Sequence, residues 1–186
     1  MRIDHLAFRV RDRQATVRFL CDALGYKVQQ EFPIYFNDDH TDMAMCTALE
    51  PPEKLDAPVP WTTVLPGPHA QEYHVPPEIF VSEGTPDSIV GQWVAQHGPG
   101  LHHIALQVES VERTMKEWQR KGWAEFTSEA PLTCEGLTQV FTKPSALTGV
   151  IFEFIERGQF GFCKDNVKAL MESTKDVNAE REKLKA

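Results

Sequence analysis

Two histidines and one glutamate in this 186-residue chain are spaced as metal ligands would be. His5 lies in Ile3–Val10 (IDHLAFRV) and His103 in Leu101–Val108 (LHHIALQV), two stretches that are versions of one another. Both alternate with the period of a half-buried strand. One face carries Leu6, Phe8 and Val10, echoed by Ile104, Leu106 and Val108; the other carries His5, Ala7 and Arg9, echoed by His103, Ala105 and Gln107. Strands related by a repeat can aim both imidazoles at one point. The third candidate is Glu153, set among apolar residues in Val150–Ile155 (VIFEFI). A carboxylate there is costly unless it is paired or bound to a metal. Two imidazoles and a carboxylate make the facial triad of non-haem Fe(II), which leaves three coordination positions open. Taken singly, His5 would read as a core histidine and Glu153 as the partner of an arginine. Their repeat-related placement is what favours the metal. His102 is expected to face away from His103, and His40, His69, His74 and His97 are expected to face solvent.

The elements that must position these residues also repeat. Val17, Leu20 and Leu24 follow the first strand at helical spacing, and Val111, Met115 and Trp118 follow the second. Gly25 and Gly122 stand where each helix should stop. Strand-like runs come next, in the second copy roughly Glu125–Ser128, Leu137–Lys143 and Val150–Ile155. The unit reads βαβββ, twice. The expected fold is therefore α+β, two βαβββ modules forming one open β-barrel around a metal site, with a C-terminal helix. Residues 1–84 form the first module, 85–97 a helical linker capped by Asp87 or Ser88, 98–158 the second module, and 159–186 the closing helix and tail. Asn37–Pro77 holds short strand candidates at Met43–Leu49 and Trp61–Leu65 between long loops, suited to a lid or a subunit contact. Asp165–Val177 presents Val167, Leu170, Met171, Thr174 and Val177 at helical spacing, with Asp165 or Asn166 near its start. This helix either covers the cavity, packing over Phe141, or simply caps the barrel edge or joins a homodimer.

Composition excludes several classes. With 19 basic against 27 acidic residues the formal charge is −8, which argues against nucleic acid or an anionic membrane surface as partner. No apolar run approaches the roughly 20 residues of a bilayer span. The start lacks a signal peptide's apolar core. Cys21, Cys46, Cys134 and Cys163 show no close pairing, so reduced thiols in the cytoplasm are expected, with neither a disulfide framework nor a zinc cluster.

Paired βαβββ units with a histidine in each first strand resemble the vicinal oxygen chelate superfamily. The second half is similar to the catalytic domain of 4-hydroxyphenylpyruvate dioxygenases. The matching blocks are Gly98–Leu106 (GPGLHHIAL), Gln139–Pro144 (QVFTKP), Phe152–Arg157 (FEFIER) and Gly161–Met171 (GFCKDNVKALM), and their order and spacing carry the likeness. It covers Glu78–Thr174 well and Ile3–Phe32 loosely. The resemblance implies Fe(II) on His5, His103 and Glu153, with Zn, Co, Ni or Mn as alternative divalent metals. It implies a 2-oxo acid and O2 as reactants, CO2 as a product, and hydroxylation of the remaining substrate. It assigns Gln139 to orienting the substrate and Phe141 to stacking on it. On the residues alone, Phe141 serves equally as core packing.

The chain departs from the family's pattern in ways that bear on the substrate. His102 replaces a glutamine before the second ligand histidine. Ser88 stands where a substrate-contacting glutamine is expected, Ser82 where an asparagine is usual, and Val167 and Met171 where the lid helix carries phenylalanines. Ser82, Ser88 and Asn166 are the further substrate-binding candidates. A second class of function stays open: a metal-dependent lyase or epimerase of the glyoxalase or methylmalonyl-CoA epimerase type, which needs a fourth protein ligand. The repeat puts Phe80 at that position, and a two-residue shift would offer Glu78 instead. A binding or resistance protein that has lost the chemistry is a third class, against which the intact triad speaks.

Overall fold

The computed structural model describes residues 1–52, 76–158 and 162–175. Its first half contains β1 (Arg2–Arg9), α1 (Arg13–Leu24), β2 (Lys27–Tyr35), β3 (Met43–Glu50) and β4 (Glu78–Gly84), followed by α2 (Ile89–His97). Its second half contains β5 (Gly100–Gln107), α3 (Val111–Arg120), β6 (Leu132–Cys134), β7 (Leu137–Phe141) and β8 (Ile151–Glu156), followed by α4 (Lys164–Ser173). Among the described residues the strands form one eight-stranded sheet in the order β2-β3-β4-β1-β5-β8-β7-β6. It curls into the open half-barrel expected of the α+β fold.

The repeat is visible in the pairing. β4 runs parallel to β1 and β8 parallel to β5, while β1 and β5 meet antiparallel at the centre. Opposite Ala7 stands Phe80; opposite the equivalent Ala105 stands Glu153. Even the helix starts correspond: Glu83 accepts from the Arg13 N–H at 2.8 Å and Glu156 from the Val111 N–H at 3.2 Å. Each carboxylate thus meets the positive end of its module's helix. Gly25 and Gly122 have φ of 75° and 67°, the left-handed conformation that ends each helix.

Several local expectations change. Glu125–Ser128 is not a strand: only Phe126 forms a bridge, to Thr142, and the extra strand lies later, at Leu132–Cys134. The linker helix begins at Ile89, with Ser88 rather than Asp87 as its cap. The closing helix is shorter than Asp165–Val177 and begins after Cys163, which makes no side-chain cap bond. Val177, Trp61–Leu65, His69 and His74 lie outside the described residues. The expectation that all cysteines are reduced is overturned: Cys134 and Cys163 form a disulfide, while Cys21 and Cys46 are free. The pairing joins β6 to the start of α4, elements that meet only in the folded chain, so sequence spacing could not reveal it. None of the described helices is long and apolar enough to cross a membrane.

Candidate metal centre

β1, β5 and β8 bring His5, His103 and Glu153 together at the centre of the sheet. Their ligand atoms form a nearly equilateral triangle: His5 Nε2 to His103 Nε2 is 3.3 Å, His5 Nε2 to Glu153 Oε2 is 3.3 Å, and His103 Nε2 to Glu153 Oε2 is 3.1 Å. A divalent cation about 2.1 Å from each of three ligands at right angles would set them about 3.0 Å apart. The donor set therefore fits a metal held on one face. All three side chains are buried.

Bulges aim the histidines. Against β5, β1 gains a residue between Ile3 and Leu6; against β1, β5 gains one between Leu101 and His103. Each extra residue bends the strand and re-aims side chains. Asp4, before His5, consequently reaches the His5 ring, with Oδ1 2.8 Å from Nδ1. His102, before His103, places its Nδ1 2.8 Å from His103 Nδ1. The expectation that His102 faces the opposite way is thus corrected: it is buried, in the bulge, and lines the same cavity. Beyond Asp4 lies Arg157, whose Nε and Nη2 donate to Asp4 at 2.8 and 2.7 Å and whose Nη2 also reaches Glu78 at 2.6 Å. Neither Asp4 nor Arg157 is among the residues expected at the site, although Asp4 directly precedes His5 and Arg157 ends the FEFIER block.

Charge follows this geometry. Burial opposes a charged His5, but the Glu153 carboxylate and the Asp4 bond outweigh it and raise its pKa to about 9. Burial likewise pushes the Glu153 carboxyl up, yet the two imidazoles prevail and hold it well below the usual carboxylate range. At His103 burial dominates and lowers the pKa, keeping a neutral ring available to a metal.

The other candidates divide. Gln139 and Phe141 both line the cavity. Gln139 Nε2 donates to Glu153 Oε1 at 2.5 Å, and its Oε1 accepts from Asn166 Nδ2 at 3.3 Å. Phe141 stands opposite Glu153 in the β7–β8 register, its ring centroid 4.7 Å from that of His103. Ser82 lines the cavity and donates to the Phe8 carbonyl at 3.3 Å. Asn166 sits behind Gln139, tying α4 to β7 through the Leu137 carbonyl at 3.1 Å. Ser88 lies outside the cavity wall; its Oγ accepts from the Gly91 N–H at 3.0 Å and donates to the Thr85 carbonyl at 2.7 Å.

The cavity encloses about 430 Å³ of space, open solvent at its mouth included. Val167, Leu170 and Met171 of α4 cover it, Leu170 packing with Phe141 and Ile151. Phe162, just before α4, sets its ring 5.3 Å from His5 and 5.2 Å from Phe80. Phe80 takes the place in β4 that Glu153 takes in β8 and offers no donor. Glu78, two residues away, is held by Arg157 at 2.6 Å. The free sulfurs expected at Cys134 and Cys163 are absent, so their proximity to Asp165 does not make a second metal site.

A family model described as the Glyoxalase/Bleomycin resistance protein/Dioxygenase superfamily matches residues 4–141. Among curated proteins none matches the sequence. A selenomethionine form of methylmalonyl-CoA epimerase shares the fold at a TM-score of 0.61 and 20% identity, over 86% of this chain and 97% of that one. Methylmalonyl-CoA epimerase from Mycobacterium tuberculosis is similar at 0.56 and 18%, over 84% and 87%. A triple mutant of 4-hydroxymandelate synthase from Streptomyces coelicolor is similar at 0.69 and 17%, over 94% of this chain but 53% of the synthase. This chain thus spans about half of the synthase and nearly all of the first epimerase. At these identities the likeness is one of fold.

Proposed function

We propose, from the premise that the chain belongs to the glyoxalase/bleomycin resistance protein/dioxygenase superfamily, that it is a non-haem Fe(II) dioxygenase. Its substrate would be an aromatic 2-oxo acid, taken through oxidative decarboxylation and hydroxylation. The observation that carries this reading is the three-ligand set His5, His103 and Glu153 with Phe80 in the fourth place. Three open positions are what a bidentate 2-oxo acid and O2 together require. Fe(II) held by these residues would supply Lewis acidity and O2 activation, one oxygen atom passing to the new carboxylate and the other to the new hydroxyl as CO2 leaves.

The chain's own residues do the rest. Asp4 accepts the Nδ1 proton of His5, which turns the Nε2 lone pair toward the metal position. His102 does the same for His103. Gln139 engages Glu153 Oε1 and leaves Oε2 for the metal, so it acts on the ligand as well as at the cavity surface. Phe141 offers a flat apolar wall to an aromatic substrate, and Ser82 a hydroxyl. Val167, Leu170, Met171 and Phe162 exclude water from the reacting centre. Ser88 and Asn166 contribute as supports, one by capping α2 and the other by orienting Gln139.

A metal-dependent epimerase or lyase is the second reading, favoured by the nearly whole-length match to the first epimerase. It needs a fourth protein ligand, and Phe80 cannot serve while Glu78 is engaged by Arg157. Anaerobic addition of phenylpyruvate to the Fe(II)-loaded protein separates the two. The dioxygenase reading expects a weak visible charge-transfer band that disappears, together with bound iron, in His103→Ala. Bound iron without such a band, accompanied by α-proton exchange in a 2-substituted malonyl thioester, favours the epimerase.

A further inference from the structure

β1 turns a third side chain into the cavity after His5 and Ala7. Arg9 is only 3% exposed and lines the same wall as the metal ligands. Its guanidinium carbon lies 5.7 Å from the centre of the Trp93 ring on α2. Its Nη2 is 3.4 Å from Thr174 Oγ1, just past α4, and that hydroxyl itself donates to the Met171 carbonyl at 2.7 Å. The guanidinium is thus seated between two helices.

The repeat does not explain this cation. Its counterpart on β5, Gln107, turns to the surface and accepts from Arg2 Nε at 2.7 Å. Arg9 is therefore particular to this side of the cavity. Arg9 lies four positions along the strand from His5, an advance of about 13 Å between their α-carbons. Ala7 lies between them on the strand, and Phe80, Leu170 and Met171 are further apolar members of the same lining.

We propose that Arg9 is a specificity-determining residue that binds a second carboxylate, carried by the substrate at its end remote from the metal. The planar fork of a guanidinium matches a carboxylate in two parallel hydrogen bonds, and apolar walls weaken the screening of such a pair. The substrate class is then a dianionic acid: a chelating 2-oxo acid at one end, an aromatic or apolar middle against Phe141, and a carboxylate at Arg9. The inference rests on the 2-oxo acid reading for the metal-binding end alone.

Phenylpyruvate and 4-carboxyphenylpyruvate differ only in the distal charge. Anaerobic titration calorimetry of the Fe(II)-loaded protein should give roughly tenfold tighter binding of the carboxylated acid. Arg9→Gln should remove that preference and leave phenylpyruvate affinity within about threefold. Arg9→Lys, which keeps the charge without the fork, should retain part of it. Equal affinities in the native protein, or a preference that survives Arg9→Gln, overturn the assignment and leave the 2-oxo acid reading standing. Should neither acid bind, the 2-oxo acid reading fails, and terephthalate against benzoate decides for Arg9. A dianion preference lost in Arg9→Gln then upholds the assignment, and no preference overturns it. The native comparisons stand even where a variant misfolds.

Discussion

His102 and His103 meet Nδ1 to Nδ1 at 2.8 Å, in the same relation that Asp4 holds to His5 in the other half of the sheet. One nitrogen of this pair must donate and the other accept. With His103 Nε2 facing the metal position, its Nδ1 carries the proton and His102 Nδ1 receives it. Replacing His102 by phenylalanine leaves that buried N–H without its acceptor. Metal affinity, measured by competition with a chelator, should fall about 10–100-fold, the range for losing such a partner. His102→Gln, which restores an acceptor, should stay close to the native value. Unchanged affinity in His102→Phe would show that the contact does not orient the ligand.

The ion pair between His5 and Glu153 sets a pH dependence. The pKa of His5 is raised from 6.5 to about 9 in the folded, metal-free protein. A raised folded pKa means stability fully present below 6.5 and lost as pH climbs through about 9. Glu153, held low, contributes above its ordinary range and loses that contribution only in acid. Chelator-treated protein should therefore melt at a higher temperature near pH 6 than near pH 10, with the midpoint of the loss toward the upper end. Metal must displace the His5 proton, so binding should release about one proton in neutral buffer. Metal binding whose heat is independent of buffer ionisation enthalpy would contradict this.

The Cys134–Cys163 disulfide fastens the start of α4 to the edge strand β6. With the partners 29 positions apart in sequence, the closed loop is worth about 3–4 kcal/mol on chain-entropy grounds. Reduction, or Cys134→Ser, should lower the melting temperature by roughly 7–14 °C. It should also raise oxygen consumption uncoupled from product, since α4 carries Val167, Leu170 and Met171 over the cavity. A large loss of stability with coupling preserved would mark α4 as a structural cap alone.

Much of this architecture is legible in the chain because the strands alternate and repeat. His5 and His103 occupy corresponding places in IDHLAFRV and LHHIALQV, and Glu153 stands out in an otherwise apolar strand; the structure brings the three together. What alternation could not supply is the place where it breaks. The bulges at Asp4-His5 and His102-His103 depend on β1–β5 register, and they turned His102 inward against its expected parity. The same holds for tertiary contacts between remote segments. Cys134 meets Cys163 only once β6 is laid on β7, and Arg157 finds Asp4 across the central strands. Ser88 was legible as a helix cap, and that is where its hydroxyl is engaged.

Oxygen uptake by the Fe(II)-loaded protein with an aromatic 2-oxo acid, followed together with CO2 release, tests the central claim most directly. The account predicts uptake that depends on the acid, one CO2 for each O2, and loss of both in His103→Ala and Glu153→Gln. Binding of iron and the acid with no oxygen consumed, while an α-proton is exchanged without O2, would contradict it.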